Sequence, residues 1–273
     1  MQNQRILITG GTGFIGKSLI ESLEGNDIHI ITRQNVVPVT PQTYHIGDIA
    51  DVDVFRRLSK IDFTYVFHLA WDGLPDRGSK YCELNKETNK QFLTNLKQIS
   101  FERLIAVGSC LELEQPDSPF ARAKNSVFED IQDMQLNFIW PRVFYSYGYG
   151  QHSNSLLNSI LAKTDKGKEF TLVNPGVAHD FVNIVDVVEG LKQAAESEFI
   201  GPVDIGTGKS ITVGSFTKEV FKILGLNFNL DEYKSIDSLV ANIVETRNSI
   251  NWHSKVDLES GLRSALRQKG RVT

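Results

Sequence analysis

Short hydrophobic runs of strand length alternate with stretches of helical spacing along the first two-thirds of the chain. That alternation predicts a parallel sheet wound with helices on both faces. Ile6, Leu7 and Ile8 form the first apolar run, and Phe14, Ile15, Leu19, Ile20 and Leu23 follow at the spacing of one helix face. Further strands are predicted at 28–32, 44–46, 65–69, 104–107 and 138–140. Between the strands at 65–69 and 104–107 a long helix is expected, with Leu84, Thr88, Phe92, Leu96 and Ile99 on one face. That face is buried on the sheet or, in part, against a second subunit. The character changes after Pro141: residues 145–180 are rich in Tyr, Gly, Asn and Ser, which suits a binding segment at the rim of a sheet. Residues 181–188 return to apolar strand and helix, 203–205 read as a short strand, and 216–224 as an amphipathic helix closed by Gly225. A helical run through Leu258, Leu262 and Leu266 ends the tail. No repeat or low-complexity tract interrupts the pattern.

Between the first strand and the first helix stands Thr9-Gly10-Gly11-Thr12-Gly13-Phe14-Ile15-Gly16. Gly10 allows a sharp turn, Gly13 lets the backbone approach a pyrophosphate, and Gly16 lets the helix pack closely. The helix N-terminus, with Thr12, Phe14 and Ile15 around it, offers unpaired N–H groups to an anion without needing a lysine. The expected fold is α/β, a doubly wound parallel sheet of the Rossmann type with a small interleaved C-terminal part. Residues 1–148 and 181–206 are assigned to a dinucleotide-binding domain, and 149–180 and 207–273 to a substrate-binding domain.

The 273 residues are 41% hydrophobic with 8 prolines, enough for a full core and unlike a disordered chain. A net charge of −4 without a dense Lys/Arg block leaves no electrostatic footprint for nucleic acid or an anionic membrane, so the expected partner is a small molecule. Cys82 and Cys110 are too few for a disulfide framework, and no spacing suggests a metal site. The chain enters a core strand at Arg5 and has no apolar run of spanning length; a cytoplasmic location is expected.

The end of the second strand sets the cofactor type, because an acid there would hydrogen-bond the ribose hydroxyls of NAD. Thr32 and Arg33 stand there instead, and an arginine can pair with a 2′-phosphate, so NADP is expected over NAD. Asp48 and Ile49, after the third strand, are placed to meet the adenine edge, although an Asp at a strand end is equally a turn former. Trp71 and Asp72 follow the fourth strand at the carboxyl edge where ligands bind in this fold. His68, inside that strand, reads as a satisfied core histidine. Tyr145, Tyr147, Tyr149, His152, Asn154 and Ser155 offer stacking surface and hydrogen bonds to a base or sugar.

T-G-G-T-G-F-I-G at 9–16, G-D-I at 47–49, F-H-L-A-W at 67–71, P-R-V-F-Y-S-Y-G-Y-G-Q-H-S-N-S-L at 141–156, H-D-F-V-N-I-V-D-V-V at 179–188, D-I-G-T-G-K at 204–209 and N-W at 251–252 together resemble the extended short-chain dehydrogenase/reductase family, also called NAD-dependent epimerases/dehydratases. The 141–156 stretch and G-S-C at 108–110 are most similar to reductases of nucleotide-linked 4-keto-6-deoxyhexoses. The resemblance implies that Leu69, Ala70, Trp71, Lys124 and Val143 complete the cofactor site, that Trp71, Asp72, Ser109, Cys110, Tyr145, Asn154, Ser155 and His179 meet a nucleotide-sugar substrate, and that the protein is a homodimer. It also implies a catalytic set of Ser109, a tyrosine and Lys124, the tyrosine passing a proton while the lysine lowers its pKa and holds the nicotinamide ribose.

Position 120, where that tyrosine belongs, is Phe120. It has no proton to give. Either the tyrosine has been substituted to hold a complex, or the protein binds without turnover, or another donor serves, with Ser109, Cys110, Tyr145 and ordered water the candidates. Phe120 follows Ser109 by eleven positions, a shorter loop than the family carries, so an open site is expected. His179 stands where the family has an arginine that holds the substrate diphosphate; neutral histidine is a weaker phosphate partner. The implied activity is NADP-dependent reduction of the 4-keto group of a nucleotide-linked 6-deoxyhexose. The alternatives are a nucleotide-sugar epimerase or dehydratase and a silent NADP(H)-binding protein.

Overall fold

The computed structural model describes residues 1–34, 42–74, 78–164, 171–230 and 232–272. Within the predicted 145–180 segment, 165–170 therefore lies outside the described residues. The central sheet is built from β1 (Arg5–Thr9), β2 (Asp27–Thr32), β3 (Thr43–Ile46), β4 (Asp62–His68), β5 (Ser100–Ala106), the short β6 (Gly108–Ser109), β7 (Phe138–Val143) and, later in the chain, the strand Gly201–Ile205. Its order is β3-β2-β1-β4-β5-β7 and then Gly201–Ile205, with β6 also beside β7, and every pairing is parallel. The chain steps from β1 to one side and returns to β4 on the other, so the crevice of a doubly wound sheet falls between β1 and β4.

Alternation along the strands explains the two layers. Ile6, Ile8 and Phe67 join one buried cluster with Leu19, Ile105, Val187, Leu191 and Trp252, whereas Leu7 and Val66 join the other with Phe92, Leu104, Val127 and Trp140. The helices α1 (Phe14–Ser22), α2 (Val52–Leu58), α3 (Ser79–Leu96), α4 (Leu111–Glu114) and α5 (Pro119–Asp133) follow in chain order. Strand β7 runs through Pro141, past the end predicted for it. It pairs with β5 at residues 138–139 and with β6 at 142–143, so the proline, which has no N–H to give, falls in the gap between them.

Helix α3 departs from its predicted face. Its buried side carries Cys82, Asn85, Asn89, Phe92, Leu93 and Leu96, Leu84 is exposed, and Ile99 is buried beyond the helix end. Polar side chains occupy the inner face because they have partners there. Asn89 Oδ1 accepts from His68 Nε2 at 2.6 Å, the His68 Nδ1 accepts from the Thr9 hydroxyl at 2.7 Å, and Asn89 Nδ2 donates to Asn85 O at 2.7 Å. His68 is therefore the satisfied core histidine that its place in the strand predicts, and burial pushes its imidazole down to about 4. Because the unfolded histidine takes a proton near its ordinary value and the folded one does not, stability is lost as pH falls from about 6.5 towards about 4, by up to about 3 kcal/mol. Urea unfolding across that window is expected to show a shallower acid loss in His68→Gln than in the parent chain.

Beyond the sheet, β8 (Tyr145–Tyr147) pairs with β10 (Phe181–Asn183), and β9 (Ala178–His179) runs antiparallel to a short strand at Ile211–Thr212. A third apolar cluster joins Leu157, Ile160 and Leu161 of α6 (Leu156–Thr164) to Phe181, to Phe216 and Val220 on the helix Val213–Ile223, and to Leu262 and Leu266 on the helix Leu258–Gln268. The fully buried Asp180 ties these pieces to the sheet's edge: it accepts from Thr207 N and its hydroxyl, Gly208 N and Ala241 N. The helix at Val213–Ile223 starts before the predicted 216 because Thr212 caps it, accepting from Ser215 N at 3.0 Å.

Candidate active site

At the crevice between β1 and β4, a cavity of about 200 Å³ is lined by Gly10, Thr12, Gly13, Thr32, Arg33, Asp48, Ile49, Leu69, Ala70, Trp71 and Asp72. The glycine turn has the geometry that a pyrophosphate cradle needs. Gly10 sits at φ +73, and a Cβ there would lie 2.7 Å from Ala70 N. A Cβ on Gly16 would lie 2.3 Å from Gly10 O, so the close approach Gly16 permits is of α1 to the turn itself. Gly13 caps α1 without any side-chain bond, which leaves the first N–H groups of the helix open to an anion. The residues thus fit the diphosphate half of a dinucleotide. Phe14 lines a different cavity, and Ile15 and Gly16 line none of the cavities described here.

The far end of this cavity is charged. Arg33 Nη1 and Nη2 donate to the two oxygens of Asp72 at 2.7 and 2.6 Å, and Asp48 Oδ2 stands 3.8 Å from Nη1. The Asp72 carboxylate raises the guanidinium's already high pKa. Asp72 is itself pinned: its N–H donates to Asn85 Oδ1 at 2.8 Å, and its carbonyl accepts from Asn85 Nδ2 at 2.9 Å. Asp72, expected at the substrate, thus stands in the first cavity because Asn85 and Arg33 hold it there. Asp48 lines the cavity, and its Oδ1 accepts from Ala50 N at 2.9 Å, as a turn former does. Asn85 and Thr88 also line the cavity and were not foreseen; a polar residue on the predicted inner face was a signal for Thr88, and none existed for Asn85.

A second cavity, of about 390 Å³, is lined by Ser109, Cys110, Val143, Tyr145, Tyr147, His152, Asn154 and Ser155, together with Phe14, Phe144, Ser146, Gln151, Phe181 and Phe216. Most residues expected at a substrate meet here. Val143, expected at the cofactor, faces this cavity instead. Ser109 ends β6, and its Oγ accepts from Leu111 N at 3.3 Å. The Tyr145 hydroxyl donates to Glu114 Oε2 at 2.7 Å, and its ring stacks on His179 at 3.7 Å. His179 reaches the site through that stack and does not line the cavity.

Helix α5 opens on Ser118, whose Oγ accepts from Ala121 N at 3.2 Å, with Pro119 in its first turn. Phe120 and Lys124 lie one turn apart on it, but neither lines a cavity described here. Phe120 is buried, edge-on to Trp71 at 5.5 Å. The Lys124 ammonium lies 4.0 Å from the centre of the Trp71 ring and donates to Val107 O at 2.7 Å. The indole at 71 covers the lysine. Burial brings Lys124 down to about 8, opposed by the charge of Glu112. Glu112 is buried behind Ser109: Oε1 accepts from Ser109 N at 2.6 Å and Oε2 from Trp140 Nε1 at 2.8 Å. Burial raises its carboxyl, while the indole N–H and Lys124 pull it back. Nothing in the sequence reading pointed to Glu112, because its partner Trp140 lies on a distant strand.

A glycine turn at the switch point of a doubly wound sheet, with a second cavity beside the serine that ends β6, defines an enzyme of the NAD-dependent oxidoreductase type. A model of the NAD dependent epimerase/dehydratase family matches residues 6–206, and the chain belongs to that family, whose members modify nucleotide sugars. Among its relatives, UDP-glucuronic acid decarboxylase 5 of Arabidopsis thaliana is 22% identical over 302 residues, spanning 95% of this chain and 87% of that protein. The dTDP-4-dehydro-6-deoxyglucose reductase of Escherichia coli is 21% identical over 300 residues, spanning 94% and 95%. The Bordetella bronchiseptica enzyme WbmF, solved in complex with NADH, shares the fold with a TM-score of 0.87 at 20% identity, over 98% of this chain and 92% of its own. Among the described residues no helix is long and apolar enough to cross a membrane.

Proposed function

We propose that the protein reduces the 4-keto group of a nucleotide-linked 6-deoxyhexose with a nicotinamide dinucleotide. The carrying observation is the pair of cavities, one built on Gly10, Gly13 and the open end of α1, the other on Ser109 and Tyr145. The likeness to a 4-dehydro-6-deoxyglucose reductase supports this reading. The glycine turn would hold the cofactor's diphosphate, and Arg33, Asp48 and Asp72 its adenosine end. Arg33 favours NADP; the two carboxylates beside it favour NAD.

A reduced nicotinamide supplies a hydride when bound. Ser109, whose Oγ accepts from Leu111 N–H, has its own proton to offer the reacting oxygen. Tyr145 stands in the same cavity and would deliver the proton that a tyrosine at 120 would otherwise give, its hydroxyl turning from Glu114 Oε2, to which it donates here, to the reacting oxygen. Residues 149–180 and 207–273 supply the sugar and base contacts, with Asn154 and Ser155 at the start of α6. We take the protein to act as a cytoplasmic homodimer, the exposed Tyr81 and Leu84 of α3 marking the face that pairs.

The test is oxidation of NADH or NADPH by the purified chain across a panel of 4-keto sugar nucleotides. Steady consumption is expected with at least one of them. Conversion of a sugar nucleotide without net consumption indicates an epimerase or dehydratase. Tight cofactor binding with no chemistry on any substrate indicates a silent binder, a reading that Phe120 and the indole over Lys124 favour.

A further inference from the structure

The cleft's adenosine end carries an arrangement that neither the glycine turn nor the end of β2 explains. Where β2 ends, an acid is missing and Arg33 stands in its place. Across the crevice, at the end of β4, Asp72 presents both carboxylate oxygens to that arginine at 2.6 and 2.7 Å. This is not a chance surface pairing of two long side chains, because the main chain of Asp72 is clamped on both its N–H and its carbonyl by Asn85, which is 4% exposed. Asn85 is held in turn, its Nδ2 also donating to Tyr81 O at 2.7 Å. The short aspartate side chain therefore has little freedom, and it is the arginine that has come to meet it.

We infer that Asp72 is the residue that selects the cofactor, and that it makes the cleft prefer NAD(H) over NADP(H). The inference rests on the reading that this cleft binds a nicotinamide dinucleotide.

The argument is one of charge and donors. Arg33 carries one positive charge, and the carboxylates of Asp72 and Asp48 stand 2.6 and 3.8 Å from its guanidinium. A 2′-phosphate brings about two more negative charges at neutral pH. To reach the guanidinium it must displace the Asp72 carboxylate, and it then lies beside that carboxylate and Asp48. A ribose diol meets the same surface with two O–H donors, which are what a carboxylate accepts. Asp72 thus supplies, from the opposite wall, the acceptor that the end of β2 lacks. Both carboxylates and Arg33 line the cavity together with the glycine turn, so selection and phosphate cradle share one space. The pair is more than half exposed on the arginine side, so Arg33 remains able to swing to a phosphate once Asp72 releases it.

Calorimetric titration of the full chain with NAD⁺, NADH, NADP⁺ and NADPH tests this, with thermal unfolding as the control for folding. The parent chain is expected to bind the NAD pair at least about tenfold more tightly than the NADP pair. Asp72→Asn is expected to raise NADP(H) affinity by about tenfold and to erase most of that gap, and Arg33→Ala placed on top of it to remove the gain. Should Asp72→Asn fail to fold, Asp72→Ser carries the same expectation. A parent chain that binds NADP(H) as tightly as NAD(H), or a folded Asp72 variant whose ratio is unchanged, overturns the inference and leaves the dinucleotide reading standing. If a folded chain binds none of the four, the reading of the cleft falls and the inference with it.

Discussion

Phe120→Tyr is expected to raise the rate of hydride transfer to a 4-keto sugar nucleotide by at least about tenfold, and by up to the ~10²- to 10⁴-fold that a positioned general acid contributes. Phe120 lies one helical turn before Lys124, and Lys124 is held near 8 by burial, so a phenol at 120 would sit beside a cation that favours its ionised form. The ring at 120 is buried and meets Trp71 edge-on, so thermal unfolding of the variant controls for the packing of the added hydroxyl. Stopped-flow absorbance of the reduced nicotinamide, together with cofactor titration, separates a gain in chemistry from a gain in binding. A Tyr145→Phe change in the parent chain completes the test: if Tyr145 is the present donor, its loss removes the residual rate and Phe120→Tyr restores it. A rate unchanged by Phe120→Tyr across the whole substrate panel counts heavily against the proposed chemistry.

Glu112→Ala is expected to cost about 3 kcal/mol of folding stability. It strands the Trp140 indole N–H and the Ser109 N–H in the interior and removes the charge that offsets the buried Lys124. A space appears as well, since Gly108 is packed so closely that a Cβ there would lie 2.8 Å from Glu112 Oε1. Glu112→Gln keeps one carbonyl acceptor and the shape of the side chain, and should lose about half as much. Urea unfolding of the two variants at neutral pH measures both. A Glu112→Ala chain as stable as the parent would show that water replaces the carboxylate at no cost, and that the serine's strand is not held from behind.

Most of the sheet was legible because its strands are buried on both faces and read as unbroken apolar runs between turn signals. The glycine turn was legible for a different reason: its residues are demanded by backbone geometry, as the near-contact of Gly10 with Ala70 and of Gly16 with Gly10 shows. The inner face of α3 was not. A rule that equates burial with apolarity places Leu84 inwards and Asn85 outwards, and the reverse holds because Asn85 accepts from Asp72 N and Asn89 from His68 Nε2, groups outside the helix. For the same reason Asp72 was assigned to the substrate. Its place is set by Asn85 and by Arg33, 39 positions earlier, and proximity of that kind leaves no periodic trace. Lys124 was singled out by the family resemblance, but the bulk of Trp71, which covers its ammonium, becomes apparent only in three dimensions.

The asparagines of α3 link more than two neighbours. From the Thr9 hydroxyl through His68, Asn89 and Asn85 to the main chain of Asp72, and on to Arg33, one unbroken column of polar contacts runs from the middle of the sheet to the mouth of the cleft. A surface charge on a loop would wander; this one borrows the stiffness of the interior.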